Sequence, residues 1–214
     1  VRDANGCTYA AQVQVTNIAG PSGLTASVQA STCGDSNGEL AISEVIGGTS
    51  PYTYSRDGVN FQSSATFPAL AAESYSITVK DANRCVFTEE VELEDIAGPS
   101  ALALVPQSST CGDSNGQINI SGVSGGTAPY TFSRNGTTFQ AAASFDNLLA
   151  GTYTITVRDA NGCTFARSVE VEDVAGPDDL TLTSSPSTCG SSDGSISVSR
   201  LTAGTAPYTF SLDR

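Results

Sequence analysis

Six cysteines in a chain without a single histidine set the chemistry this sequence can offer. They stand at Cys7, Cys33, Cys85, Cys111, Cys163 and Cys189, separated by 26, 52, 26, 52 and 26 residues. Without imidazole there is no ring base to activate a nucleophile near neutral pH, and no nitrogen ligand to complete a common zinc site. Cysteines placed so regularly read as disulfides of an oxidising compartment. The remaining candidates are carboxylates. Glu92, Glu94 and Asp95 precede one Gly-Pro step, Glu172 and Asp173 precede the next, and Asp81 and Asp159 open Asp-Ala-Asn turns. Hard oxygen donors of this kind suit Ca²⁺, with Glu94, Asp95, Asp159 and Asp173 as candidate ligands. The same Asp and Asn residues are ordinary turn formers, bonding local backbone, and that reading is the stronger one; no cofactor is expected. No Gly-rich phosphate loop or nucleophile–base pair is present, so the chain is not expected to be an enzyme.

The elements that carry these residues repeat. Each type of cysteine recurs after 78 residues, and so do Ile18-Ala19-Gly20-Pro21, Ile96-Ala97-Gly98-Pro99 and Val174-Ala175-Gly176-Pro177. Residues 20–97 and 98–175 share 45 of 78 positions without an insertion. Two complete modules are therefore expected at 20–97 and 98–175, with the end of a module at 1–19 and the first half of one at 176–214. Val1 to Cys7 matches Val157 to Cys163, so the sequence reads as a piece of a longer array.

Within 20–97 short alternating runs lie between turn clusters. Leu24, Ala26 and Val28 mark strand A; Leu40, Ile42 and Val45 mark strand B; Tyr52 and Tyr54 mark strand C. Asp57-Gly58 is a hairpin turn leading to Phe61, and Phe67 with Leu70 marks a further short strand. Tyr75, Ile77 and Val79 alternate on strand F, and Phe87, Val91 and Leu93 lie on strand G. The fold class that follows is all-β: a tandem array of small immunoglobulin-like (PKD or fibronectin-III-like) β-sandwich modules. Tyr75 and Tyr153 stand where such sandwiches place a corner tyrosine, with packing as their main role.

The combination of Cys-Gly-Xaa-Xaa-Xaa-Gly, Gly-Gly-Thr-Xaa-Pro-Tyr-Thr-[Tyr/Phe]-Ser and Leu148 through Gly151-Thr152-Tyr153-Thr154-Ile155-Thr156-Val157 to Cys163 resembles the SprB repeat. The resemblance covers essentially the whole chain. It implies very large cell-surface adhesins of Bacteroidota, export commonly by the type IX route, and a role in adhesion or gliding motility. It implies no catalytic residue. Arg84 stands where the pattern has Gly, and Glu73 where the next module has Gly151, which puts the turn geometry there in question.

Two disulfide patterns compete. The intramodule pattern joins Cys33 to Cys85 and Cys111 to Cys163. In a sandwich those partners lie at opposite poles, roughly 23 Å apart along a strand, whereas a disulfide needs Cα atoms within about 7 Å. End-to-end stacking across the short Ile-Ala-Gly-Pro linker instead brings Cys33 toward Cys163. This is the preferred pairing, and it gives Cys7, Cys85, Cys111 and Cys189 partners in modules outside this sequence. Free thiols and bonds between chains stay open.

Lys and Arg number 9 against 22 Asp and Glu, a net charge of -13. That balance opposes nucleic acid and anionic membrane surfaces, and no apolar run is long enough for a transmembrane helix. The expected function is a structural stalk or filament segment of an extracellular, cell-surface adhesin. Its expected partners are neighbouring modules of the same chain and parallel copies of the filament, with an external surface or polysaccharide reached through other parts of the protein. A ligand- or carbohydrate-binding adhesive module and an accessory domain of an extracellular enzyme are the alternatives.

Overall fold

A computed structural model describes residues 1–212; the last two positions of the 176–214 half-module lie outside the described residues. The chain divides into two compact units, Val1–Ile96 and Ala97–Arg214.

In the first unit the strands are β1 (Pro21–Gln29), β2 (Ser31–Thr32), β3 (Gly38–Gly47), β4 (Thr53–Ser55), β5 (Thr66–Leu70), β6 (Glu73–Lys80), β7 (Val86–Leu93) and β8 (Asp95–Ile96). One sheet has the order β1-β3-β5 and the other β4-β6-β7, and β2 pairs in parallel with β8. In sandwich lettering the two sheets are A-B-E and C-F-G, and the parallel step ties the A–B turn to the end of strand G. The inward faces bury Leu24, Leu40, Ile42, Phe67, Ile77 and Leu93 in one core. The fold is thus all-β and immunoglobulin-like.

Strand phase has local causes. Thr25 pairs with Glu44 but Ala26 with Ile42, so Ser43 is the extra residue of a bulge. The bulge turns Val45 rather than Glu44 toward the core. Past it strand A loses its inward register, and Val28 is 42% exposed. Phe61 belongs to no strand: Gln62 alone bridges Tyr54, while its side-chain amide donates to the Ser64 and Thr66 carbonyls. The Phe61 ring instead lies under the Lys80 ammonium at 3.6 Å, and Phe139 under Arg158 at 4.0 Å. This cation–π contact fastens the loop to strand F.

The second unit repeats the plan. It contains β9 (Pro99–Gln107), β10 (Ser109–Thr110), β11 (Gly116–Gly125), β12 (Thr131–Ser133), β13 (Ser144–Leu148), β14 (Gly151–Arg158), β15 (Thr164–Val171) and β16 (Asp173–Val174). Its sheets are β13-β11-β9 and β12-β14-β15, with β10 parallel to β16. After it β17 (Pro177–Ser185) and β18 (Ser195–Ala203) form a two-stranded sheet with the register and bulge of A and B.

The corner tyrosines do two things at once. Tyr75 is buried and its hydroxyl donates to the Ala71 carbonyl at 3.0 Å. Tyr153 makes the same bond to Leu149 at 2.9 Å. Tyr52, Tyr130 and Tyr208 pack along the Gly-Gly-Thr turn and donate to the carbonyls of Gly47, Gly125 and Ala203.

The Asp57-Gly58 turn differs chemically between modules. The Asp57 carboxylate accepts from the backbone and side chain of Asn60, the Val59 N–H and the Ser55 hydroxyl. These bonds, those from Asn60 first, hold its carboxyl well below the usual carboxylate range. A depressed folded-state pKa adds stability that is present above the unfolded value and lost as pH falls toward the folded one. Asn135 fills the same place with no charge to lose. Asp57→Asn is therefore expected to flatten the acid side of the stability profile of residues 20–97, read as melting temperature below the ordinary carboxylate range. An unchanged profile would show that the turn carries no linkage.

Candidate functional site: the two cysteine-bearing poles

The A–B turn forms the C-terminal pole of each module. Thr32 N–H donates to Asn37 Oδ1 at 2.8 Å and Asn37 Nδ2 returns a bond to Thr32 Oγ1. The Cys33 N–H donates to the Ile96 carbonyl at 3.1 Å, and Gly34 N–H and Ser31 Oγ donate to Asp95 Oδ1 at 3.1 and 2.9 Å. Asp95 thus clamps the turn to the end of strand G. Asp173 does the same with Ser109 and Gly112. The cysteine itself adopts a left-handed backbone in all three copies, φ being 64° at Cys33, 58° at Cys111 and 47° at Cys189. A residue with a Cβ meets resistance there, so the surrounding bonds hold the thiol-bearing turn in place.

The F–G turn forms the N-terminal pole. Asp81 is 5% exposed and acts as its internal scaffold: Oδ1 accepts from the N–H groups of Asn83 and Cys85, and Oδ2 from Thr49 N–H. Asp159 accepts the matching three bonds from Asn161, Cys163 and Thr127. The backbone of the first linker glycine runs against the cysteine of this turn. A Cβ added to Gly20 would lie 2.5 Å from Cys85 Cβ, and one added to Gly98 would lie 2.5 Å from Cys163 Cβ. No side chain fits at that contact.

Arg84 retains the turn despite its Cβ. Its φ is 68°, beside 88° for Gly162 and 89° for Gly6, because Asp81 holds both ends of the turn. The other departure does change the backbone: Gly151 has φ 153°, whereas Glu73 is absent from the positive-φ residues. The strand register is nevertheless the same, Glu73 facing Leu93 and Gly151 facing Val171. Arg84→Gly is expected to stabilise residues 20–97 by about 1 kcal/mol, since glycine meets no resistance at positive φ. Chemical denaturation checks this, and a loss of stability would refute it.

The cysteines separate into two states. Cys33 and Cys163 are disulfide-bonded. Cys7, Cys85, Cys111 and Cys189 are free thiols. Neither intramodule bond is therefore formed, as the placing of Cys33 beside Ile96 and of Cys85 beside Gly20 requires. The carboxylates considered for calcium are spent on the two turns, Asp95 and Asp173 on the A–B clamp and Asp159 on the F–G scaffold. Glu94 contributes its backbone carbonyl to Ser31 N–H. Among the described residues no three Asp, Glu or Cys side chains gather as a cation's ligands would.

The sequence profile of the SprB repeat matches residues 103–138 and 181–214. The chain carries SprB repeats. Each match includes an A–B turn with its cysteine, Cys111 or Cys189, and the Gly-Thr-Ala-Pro-Tyr-Thr-Phe segment that follows. SprB repeats are associated with cell-surface adhesins. No curated protein matches the chain. Among solved structures, murine CEACAM1b is similar with a TM-score of 0.28 and 11% identity, over 70% of this chain and 100% of that one. Domains 4–9 of surface layer protein SbsC give 0.29 and 12%, over 84% of this chain and 36% of that one.

Sequence reasoning placed both cysteines at their poles but missed the linker glycines that touch them. Their signal was present: glycine recurs at 20, 98 and 176, in step with the cysteines.

Proposed function

We propose that these SprB repeats form a stalk segment of a large extracellular adhesin, in which a disulfide from Cys33 to Cys163 staples one module to the next. The observation that carries this reading is the double use of the linker glycine. Gly98 faces the F–G cysteine of its own module, with Cys163 Sγ 3.3 Å from where a Cβ would stand. Gly176, the same position one period later, faces the A–B cysteine of the module before it, with Cys111 Sγ also at 3.3 Å. Superposing the repeats puts an A–B sulphur and the following F–G sulphur at one glycine, as neighbours. The oxidised state of Cys33 and Cys163 agrees with this, as does the contrast between Cys163, 3% exposed, and the half-buried Cys85 on an equivalent glycine.

A covalent tie beside a short linker removes the hinge between modules. Stacked modules would then give a straight fibre with an axial repeat of about 35–40 Å. The net charge of -13 keeps neighbouring fibres apart and soluble. The function is mechanical rather than catalytic: the stalk carries an adhesive tip away from the cell. Its resemblance supports a Bacteroidota origin, type IX secretion and a part in adhesion or gliding. A non-reducing peptide map of the oxidised chain tests the core of the proposal. A cross-linked peptide containing Cys33 and Cys163 is expected, and one joining Cys33 to Cys85 would sink it.

A further inference from the structure

Two surfaces of the chain are complementary parts of one module. β17 and β18 expose Leu180, Leu182, Ile196 and Val198 by 39–59%. One period earlier Leu102 and Ile118 are buried to 1% and 0%. Residues 1–19 carry the sequence of the F–G turn and strand G, and their apolar side chains are bare: Tyr9 is 76% exposed, Val13 88% and Val15 90%. Their counterparts Leu93 and Val171 are each 1% exposed.

From this match we infer that the β17–β18 face is a docking site for residues 1–19 of a second copy of the chain. Three observations fix the register. The first is a socket. Leu93 packs over Gly38 and Val171 over Gly116, so closely that an added Cβ would meet them at 2.9 and 2.7 Å. Gly194 is the same socket, and there the nearest atoms belong to Ser185 and Ser187; Val15 is the side chain that fits it.

The second is a ladder. Ser109 N–H donates to Glu172 O and Cys111 N–H to Val174 O where the A–B turn meets the end of strand G. The equivalent donors, on Ser187 and Cys189, fall opposite the carbonyls of Thr16 and Ile18. The third is a prepared turn. Val1 and Tyr9 already exchange backbone bonds of 2.8 and 2.9 Å, and Cys7 N–H donates to Asp3 Oδ1 at 2.7 Å, the F–G arrangement of the complete modules.

Neither segment contains strand E or most of strand F, so the interface is the one between strands G and A. In the second unit that contact has its own bond, from Arg167 on strand G to the Leu102 carbonyl on strand A at 2.7 Å. This is strand donation between unlike surfaces, and it propagates head to tail.

Docking also brings thiols together. The second copy's Cys7 comes to Gly176 as Cys163 comes to Gly98, beside Cys111, whose Sγ already faces that glycine. The next junction pairs Cys189 with the second copy's Cys85. All four free thiols thereby find partners. Each bond forms by exchange with a low-molecular-weight disulfide such as oxidised glutathione: two protein thiols become one disulfide, and the oxidant leaves as two thiols. The covalent part rests on the junction reading proposed above; the docking itself does not.

Sedimentation of the 214-residue chain in reductant, over a range of concentrations, tests the docking. Concentration-dependent association is expected, weakened at least about tenfold by Val15→Asp, which places a charge at the socket, and lost on deleting residues 1–19. Both variants retain every strand from β1 to β18, and their melting curves serve as the folding control. After oxidation by glutathione disulfide, a ladder of multiples of 21.8 kDa is expected, with Cys7–Cys111 and Cys189–Cys85 cross-links in its peptide map. A chain that stays monomeric, association indifferent to Val15→Asp, or a ladder joined through other pairs overturns the inference. The Cys33–Cys163 peptide is read in the same map, so failure of the stalk reading and failure of the docking are told apart.

Discussion

Replacing Cys163 with serine is expected to lower the stability of the oxidised chain by about 3–5 kcal/mol. The bond proposed from Cys33 to Cys163 closes a loop of 130 residues, and a cross-link over so long a loop restricts the unfolded chain strongly. The left-handed backbone at Cys33, φ 64°, works in the opposite direction but is present with or without the bond. Urea denaturation gives the stability. A count of thiols in denaturant gives an independent check, because the variant loses one cysteine yet frees another. The wild-type count of four free thiols should rise to five. A count that does not rise, with an unchanged denaturation midpoint, would remove the staple from the stalk. Reduction of the wild type should reproduce the loss without any substitution.

Asp81→Ala should have the next largest effect, about 2–4 kcal/mol on residues 20–97. The side chain is almost fully buried and accepts three backbone N–H bonds, from Thr49, Asn83 and Cys85. Removing the acceptor leaves those donors to whatever water can reach them, at about 1–3 kcal/mol for a buried donor left unpaired. Asp81→Asn retains the oxygen facing Asn83 and Cys85 but sets an amide against the Thr49 N–H, so a loss of about half the size is expected. Asp159 allows the same comparison in the second unit. A loss below 1 kcal/mol for the alanine variant would mean that the F–G turn holds its shape without the carboxylate, and that Cys85 and Cys163 are positioned by strand pairing alone.

Much of this was legible because the sequence states each feature more than once. A 78-residue period with 45 identities shows which alternations are strands and which glycines are turns, and a sandwich then sends the A–B and F–G turns to opposite poles. What stayed hidden depended on atoms from distant segments. The phase of Val45 follows from a bulge set by the partner strand. Phe61 reads as part of a hairpin strand but is drawn under Lys80 by a cation–π contact. Asp95 and Asp173 look like loose acidic residues beside a linker, yet each is fully engaged by the A–B turn about 60 residues earlier.

Composition and spacing by themselves decided that the chain is all-β, that it repeats, and that its cysteines belong to an oxidising environment. These depend on local pattern and on residue types that are present or missing, which a linear reading can count. Only the tertiary structure decided which thiols are oxidised and which are free, that Arg84 keeps a glycine's backbone, and that the linker glycines are contact surfaces for sulphur. The physical reason is common to all three. Each is settled by a close approach between segments far apart in the chain, where a few tenths of an ångström or one sign of φ selects the outcome.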